Sequence, residues 1–291
     1  MKDTLILRVL KLISWLPLSI GRIKGRFFGW LLYSFNAQPA QITKLNLALC
    51  YPEMNVKAIN MLCARRMKHL AQAVFETPLV WRKGNPWVTS KVVSITGLEL
   101  FEAAIADERG TILIIPHQGN WEVLGLWASQ HQAMTSLYDP PRIELLQEWI
   151  KTSREQSGST LVPTNVRGVA AIIKALKRGE ITGILPDQHP PPESGEFAPL
   201  LGVQARTMTL INKLLQRSGA QALMCSAIRI RGGWELHFLP ADEALYSENI
   251  KISLSALNKG VESIIALAPE QYQWEYKRFR DRPAGESPAY D

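Results

Sequence analysis

Thr111-Ile112-Leu113-Ile114-Ile115-Pro116 runs directly into His117-Gln118-Gly119-Asn120-Trp121-Glu122. The first six residues form a dense apolar run of the kind a buried strand requires. Gly119-Asn120 then marks a turn, and an apolar helical pattern follows from about Asn120 to Gln130. A strand that hands a histidine to a turn and a helix is the unit from which α/β folds are built.

Outward from this unit the pattern repeats. Val92–Ile95 reads as a strand, Gly97–Ala106 as a helix, Thr135–Tyr138 as a strand and Ile143–Gln156 as a helix. Thr160–Val162, a helix around Val169–Lys177, the strand Ile181–Leu185 and a helix from Thr207 to Arg217 continue the series. Ala222–Ile230, Trp234–Leu239 and a long helix over Ile252–Leu267 complete it. The expected fold class is therefore α/β: a mixed, largely parallel sheet with helices on both faces. One domain is expected over 36–282, with a helical subregion at 40–80 whose second helix stops before Pro78. The Pro-, Gly- and Ser-containing tail 283–291 is expected to be disordered.

In such folds ligands bind beyond the carboxyl ends of strands, where both His117 and Pro186-Asp187-Gln188-His189 fall. Imidazole titrates near neutrality and can take and return a proton within one turnover. Glu122, five residues on, is the candidate carboxylate for orienting it. Spacing alone does not single the pair out, because His237 and Asp242 repeat it within an alternating strand pattern. Context favours His117. Arg154 is a candidate contact for a phosphate or oxyanion, or a surface arginine. Asp187 binds, orients or caps a turn. Arg206 and Thr207 open a helix whose N-terminus suits an anion. Backbone N–H groups around Gly119 and Asn120 are candidate oxyanion donors. Gln118, Asn120 and Trp121 shape the turn.

The 291 residues carry 46% hydrophobic side chains and a net charge of +7, which points to an anionic partner. Three cysteines without metal-ligand spacing fit reduced core thiols. Segment 1–35 is the outlier, with two apolar runs flanking Arg22, Lys24 and Arg26. Leu5, Val9, Leu12, Leu16 and Ile20 share one helical face, as in a helix lying in an anionic membrane surface. Arg8 and Lys11 break the run that a transmembrane span requires, and no signal-peptide cleavage site follows.

These landmarks together resemble the bacterial lipid A biosynthesis acyltransferases. The matching segments are Asn46-Leu47-Ala48-Leu49-Cys50-Tyr51-Pro52-Glu53, Gly97-Leu98-Glu99, Pro116 through Glu122, Ser153-Arg154-Glu155 with Gly158, Leu185-Pro186-Asp187-Gln188, and Pro269 through Pro283. The resemblance implies catalytic His117 and Glu122, an acyl-carrier-protein thioester as donor and a phosphorylated glycolipid hydroxyl as acceptor. It also implies a place on the cytoplasmic side of the bacterial inner membrane. Two stretches depart from the family pattern: Leu200-Leu201-Gly202, where paired phenylalanines are usual, and the run Pro190-Pro191-Pro192. Another lipid acceptor, such as a lysophospholipid or aminolipid, is the alternative. Neither cofactor nor metal is expected; a zinc site from His117, Asp187 and His189 lacks a ligand signature. A non-enzymatic, membrane-surface binding protein would explain the charge but not the strand–His–turn–Glu order. No nucleic-acid recognition motif is present.

Overall fold

The computed structural model describes residues 2–141 and 143–290; Met1 and Asp291, the outer ends of the N-terminal segment and the tail, lie outside the described residues. Four helices come first: α1 (Lys2–Ile13), α2 (Leu18–Ser34), α3 (Gln38–Cys50) and α4 (Val56–Thr89). The single helical face expected from Leu5 to Ile20 is interrupted, because Pro17 lacks the N–H an internal turn needs and instead precedes the first turn of α2. α4 starts at Asn55, whose side chain accepts from the Ala58 N–H at 2.9 Å. It passes through Pro78, where the sequence suggests a stop, and changes direction only at Gly84 (φ 67°, ψ −165°). Burial of Pro78, Leu79 and Val80 against the domain outweighs one missing backbone bond. No helix among the described residues is long and apolar enough to cross a membrane.

The α/β part follows as β1 (Val92–Thr96), α5 (Leu98–Ala106), β2 (Thr111–Ile114), α6 (Trp121–Ala128), β3 (Met134–Tyr138), α7 (Glu144–Glu155), β4 (Ser159–Pro163), α8 (Val166–Leu176) and β5 (Ile181–Ile184). After these come β6 (Gly195–Leu200), β7 (Val203–Met208), α9 (Leu210–Ser218), β8 (Gln221–Ile230), β9 (Gly233–Pro240) and α10 (Ile250–Leu267). Seven strands form one sheet in the order β1-β9-β8-β2-β5-β3-β4, parallel except for the β8–β9 hairpin. Ile112 and Ile114 of β2 enter the core under α8, α9 and α10, whereas Leu113 and the following Ile115 enter the core under α5 and α6. Covering on both faces explains why this strand is apolar without alternation.

Two stretches differ from the sequence reading. Residues 195–208 form an antiparallel hairpin closed by Leu201 (φ 50°) and Gly202 (φ 77°), the paired positive φ values of a tight two-residue turn. Arg206 therefore lies within β7, and α9 begins only at Leu210. The described end of the tail folds back: the Tyr290 hydroxyl donates to Asn46 Oδ1 at 2.5 Å and accepts from the Phe279 N–H at 3.1 Å.

The N-terminal helices are fastened to the sheet by a buried charge cluster. α2 lies so close to α4 that a Cβ on Gly29 would stand 2.3 Å from the Met67 carbonyl oxygen. Beside this contact Arg22 reaches Glu76 of α4 at 2.5 Å and donates to the Ile230 and Gly233 carbonyls. Arg229 of β8 holds the same carboxylate at 2.7 Å. Burial would raise the Glu76 carboxyl, but Arg229 and then Arg22 hold it below its ordinary value. Its stabilising contribution is thus complete above the unfolded carboxylate value and is lost as pH falls through the depressed folded one. Glu76→Ala, which strands two buried guanidinium groups, is expected to cost about 3–5 kcal/mol, read from the urea-unfolding midpoint.

Candidate active site

β2 and β5 pair in parallel with Ile114 opposite Ile184, and the Ile115 N–H extends the ladder to the Ile184 carbonyl at 2.9 Å. His117 and Asp187 follow these paired residues at the same distance along the chain, so the register brings them side by side. The His117 Nδ1 lies 2.8 Å from Asp187 Oδ1, and its backbone N–H donates to Oδ2 at 2.9 Å. One carboxylate thereby fixes both the ring and the main chain. Burial would raise the Asp187 carboxyl, yet His117, through its charge and these two hydrogen bonds, holds it below the usual carboxylate value. Asp187 remains ionised, and an Nδ1–H facing it leaves Nε2 as the acceptor. The Gln188 amide nitrogen meets Nε2 at 3.1 Å and also donates to Gln273 Oε1 at 3.1 Å.

The carboxylate on the histidine is therefore Asp187, not Glu122 as the spacing suggests. Glu122 sits in the first turn of α6, where the helix dipole favours a negative charge. It faces α7, taking Arg154 at 2.5 Å on Oε1 and 3.2 Å on Oε2. Burial would lower the Arg154 guanidinium, but Glu122 raises it above its ordinary value. Arg154 is no free surface arginine; only 28% of its side chain is exposed.

The turn between His117 and Glu122 is stitched into the domain. The Gly119 N–H donates to the Gln271 carbonyl at 3.2 Å and the Asn120 N–H to the Ala227 carbonyl at 2.9 Å. Both groups named as oxyanion donors are thus occupied. Gly119 has φ 62°, and a Cβ there would stand 1.9 Å from the Ala227 oxygen, so no other residue fits. The buried Gln118 amide donates to the Ile265 and Ala268 carbonyls at the end of α10, and Gln273 N–H donates to the His117 carbonyl at 3.0 Å.

In front of the imidazole a cleft of about 260 Å³ runs between His117, Gly119 and Trp121 and the α4 side chains Leu70, Val74 and Trp81. Behind Glu122 and Arg154 lies a narrower apolar slot of about 80 Å³, lined by Ile115, Leu126, Met134 and Leu161. Trp121 borders both spaces and stacks edge-on against His117 with ring centroids 4.8 Å apart. A larger cavity of about 910 Å³ lies on the other side of α4 and contains none of these groups.

Arg206 is not brought to the cleft. Its guanidinium is committed to Asp281 at 2.9 Å, an acid that also stands 2.9 Å from His189 Nε2. The considered trio His117, Asp187 and His189 is thus divided between two carboxylates. His237 pairs with Glu235 on its own strand, and Asp242 caps the turn after β9. Gln188 and Gln273 were missed as site residues. For Gln188 a signal existed: Leu185-Pro186-Asp187-Gln188 echoes Ile115-Pro116-His117-Gln118.

An imidazole that faces an open cleft with a buried carboxylate behind it can accept a proton at Nε2, and an adjoining apolar slot can receive a hydrocarbon. The sequence model described as bacterial lipid A biosynthesis acyltransferase matches residues 2–281. The Escherichia coli lipid A biosynthesis palmitoleoyltransferase is 30% identical over 94% of this chain and 90% of its own length. The E. coli lipid A biosynthesis lauroyltransferase is 28% identical over 95% and 90%, and the myristoyltransferase 26% over 91% and 81%. The chain belongs to the bacterial lipid A biosynthesis acyltransferase family, and it is an acyltransferase. Asp187→Asn, which preserves shape but reverses the preferred tautomer, is expected to lower acyl transfer by about 10²- to 10⁴-fold, with the thermal unfolding midpoint reporting retention of the fold.

Proposed function

We propose that this enzyme transfers a fatty acyl chain from an acyl-carrier-protein thioester to a hydroxyl of a phosphorylated lipid A precursor. The observation that carries this reading is the Asp187–His117 pair facing the cleft beside an apolar slot, in a chain of this family. His117 Nε2 takes the proton from the acceptor hydroxyl as its oxygen attacks the thioester carbonyl carbon. The carbon–sulfur bond then breaks, and the departing thiolate receives the proton from the imidazolium. Asp187 fixes the ring and stabilises its charged form. An activated thioester makes a covalent enzyme nucleophile unnecessary. The acyl chain enters the slot past Trp121, and Glu122 pairs with Arg154 at the slot's wall.

The N-terminal helices bring this site to the cytoplasmic face of the inner membrane. Leu5, Leu12 and Trp15 are 63%, 72% and 71% exposed, and Phe27, Trp30 and Phe35 of the α2 region are more than half exposed. An exposed apolar set of this size on a basic chain is suited to an anionic bilayer interface. Removal of 1–35 would also strip Arg22 from Glu76, so surface substitutions test attachment more cleanly. Leu5→Glu with Leu12→Glu is expected to shift the enzyme from the pellet to the supernatant in vesicle co-sedimentation without altering its unfolding midpoint.

The enzymatic test supplies purified protein with acyl-carrier-protein thioester and Kdo-lipid A precursor. His117→Ala is expected to lower turnover by about 10²- to 10⁴-fold. Normal turnover by that variant contradicts the mechanism. Turnover by the native enzyme only with a lysophospholipid or aminolipid acceptor keeps the chemistry and overturns the acceptor.

A further inference from the structure

α4 separates two spaces. Leu70, Thr77 and Trp81 wall the cleft before His117, whereas Gln72, Leu79 and Arg82, on the opposite side of the helix, wall the cavity of about 910 Å³. α2 and the β8–β9 turn complete that cavity, with Trp15 and Trp87 also lining it. Its charge is one-sided. Arg26, Lys83, Lys91 and Arg231 line it together with Arg22, Arg82 and Arg229, and no acidic residue among the described ones does.

The cations differ in commitment. Arg22 and Arg229 are consumed by Glu76, and Arg82 donates to the Ser14 carbonyl and stacks on Trp15 with its guanidinium carbon 4.2 Å from the ring centroid. Arg26, Lys83, Lys91 and Arg231 have no carboxylate partner among the described residues. His69 adds no further positive charge; its Nδ1 faces the Arg229 guanidinium at 3.1 Å. Burial, then Arg229 and Arg66, push its imidazole down to about 3, so it stays neutral. Uncompensated cations gathered in a concavity repel one another and focus a positive potential that an anion relieves.

The rim supplies the second half of the complementarity. Trp15 and Ile23, 71% and 58% exposed, themselves line the cavity. A small inorganic anion would leave this rim bare, whereas a headgroup carrying hydrocarbon would cover it. We infer that the cavity is a second lipid site, apart from the reacting centre, that seats the phosphate of an anionic phospholipid with its acyl chains along Trp15 and Ile23. A lipid held there fixes α2, and through it α4, relative to the bilayer.

The test measures binding to the full-length protein by titration calorimetry, with soluble short-chain probes, so its result is separable from bilayer attachment and from acyl transfer. Dihexanoyl phosphatidylglycerol below its micellar concentration is expected to bind, dihexanoyl phosphatidylcholine and glycerol phosphate far more weakly. Arg26→Ala with Arg231→Ala, and separately Lys83→Ala with Lys91→Ala, are expected to weaken phosphatidylglycerol binding by about fivefold per residue removed. Lys177→Ala with Lys213→Ala, an equal loss of charge at exposed positions on the α8–α9 side, is expected to leave it unchanged. Absence of phosphatidylglycerol binding, equal losses in the cavity pairs and the control pair, or glycerol phosphate binding as tightly as the lipid would each overturn the proposal.

Discussion

The register between β2 and β5 is the constraint on which the site depends. Parallel strands paired at Ile114 and Ile184 deliver the next residues of both strands to the same end of the sheet, so a histidine and an aspartate distant in sequence become hydrogen-bonded neighbours. A slip by one residue would reverse which side chains face each core and would also separate Nδ1 from its carboxylate. Burial of both sheet faces secures the register, because Ile112, Leu113, Ile114 and Ile181 are fully buried. The His117–Asp187 geometry is in this sense a by-product of core packing.

Around that pair the molecule spends its polar groups on fixing one loop. Gln118, Gly119, Asn120 and Gln273 tie the histidine-bearing turn to β8, to α10 and to the segment after it. The N-terminal helices are fixed by a separate cluster, Arg22–Glu76–Arg229, in which two arginines from distant parts of the chain share one buried carboxylate. α4 connects these regions, with the cleft on one side and the basic cavity on the other. Its placement ties the position of α1 and α2 to the wall of the cleft before His117.

Much of this was legible in the chain, for identifiable reasons. The unbroken apolar run before His117 announces a strand covered on both faces, and the alternation that follows announces a largely parallel sheet. The partner of His117 was not legible from spacing, since a carboxylate five residues away competes with one delivered by the neighbouring strand, and only topology decides between them. The echo of Ile115-Pro116-His117-Gln118 in Leu185-Pro186-Asp187-Gln188 held that information. Arg206 falls in a strand because Val203, Ala205 and Thr207 alternate toward the core, a stretch short enough to be read from sequence as the approach to the helix that follows. Arg22 reads in the sequence as part of a basic cluster suited to an anionic membrane surface, whereas Glu76 holds it in the interior.

In the proposed mechanism Asp187 holds a proton on His117 Nδ1 and leaves Nε2, which the Gln188 amide meets at 3.1 Å, unprotonated to act as base. Nitrogen NMR of protein labelled in its histidine rings, with the His117 signals assigned by their loss in His117→Ala, reads this directly. At a pH where the ring is neutral, the account predicts a protonated Nδ1 and an unprotonated Nε2, reversed or mixed in Asp187→Asn. A native ring protonated on Nε2 would contradict it.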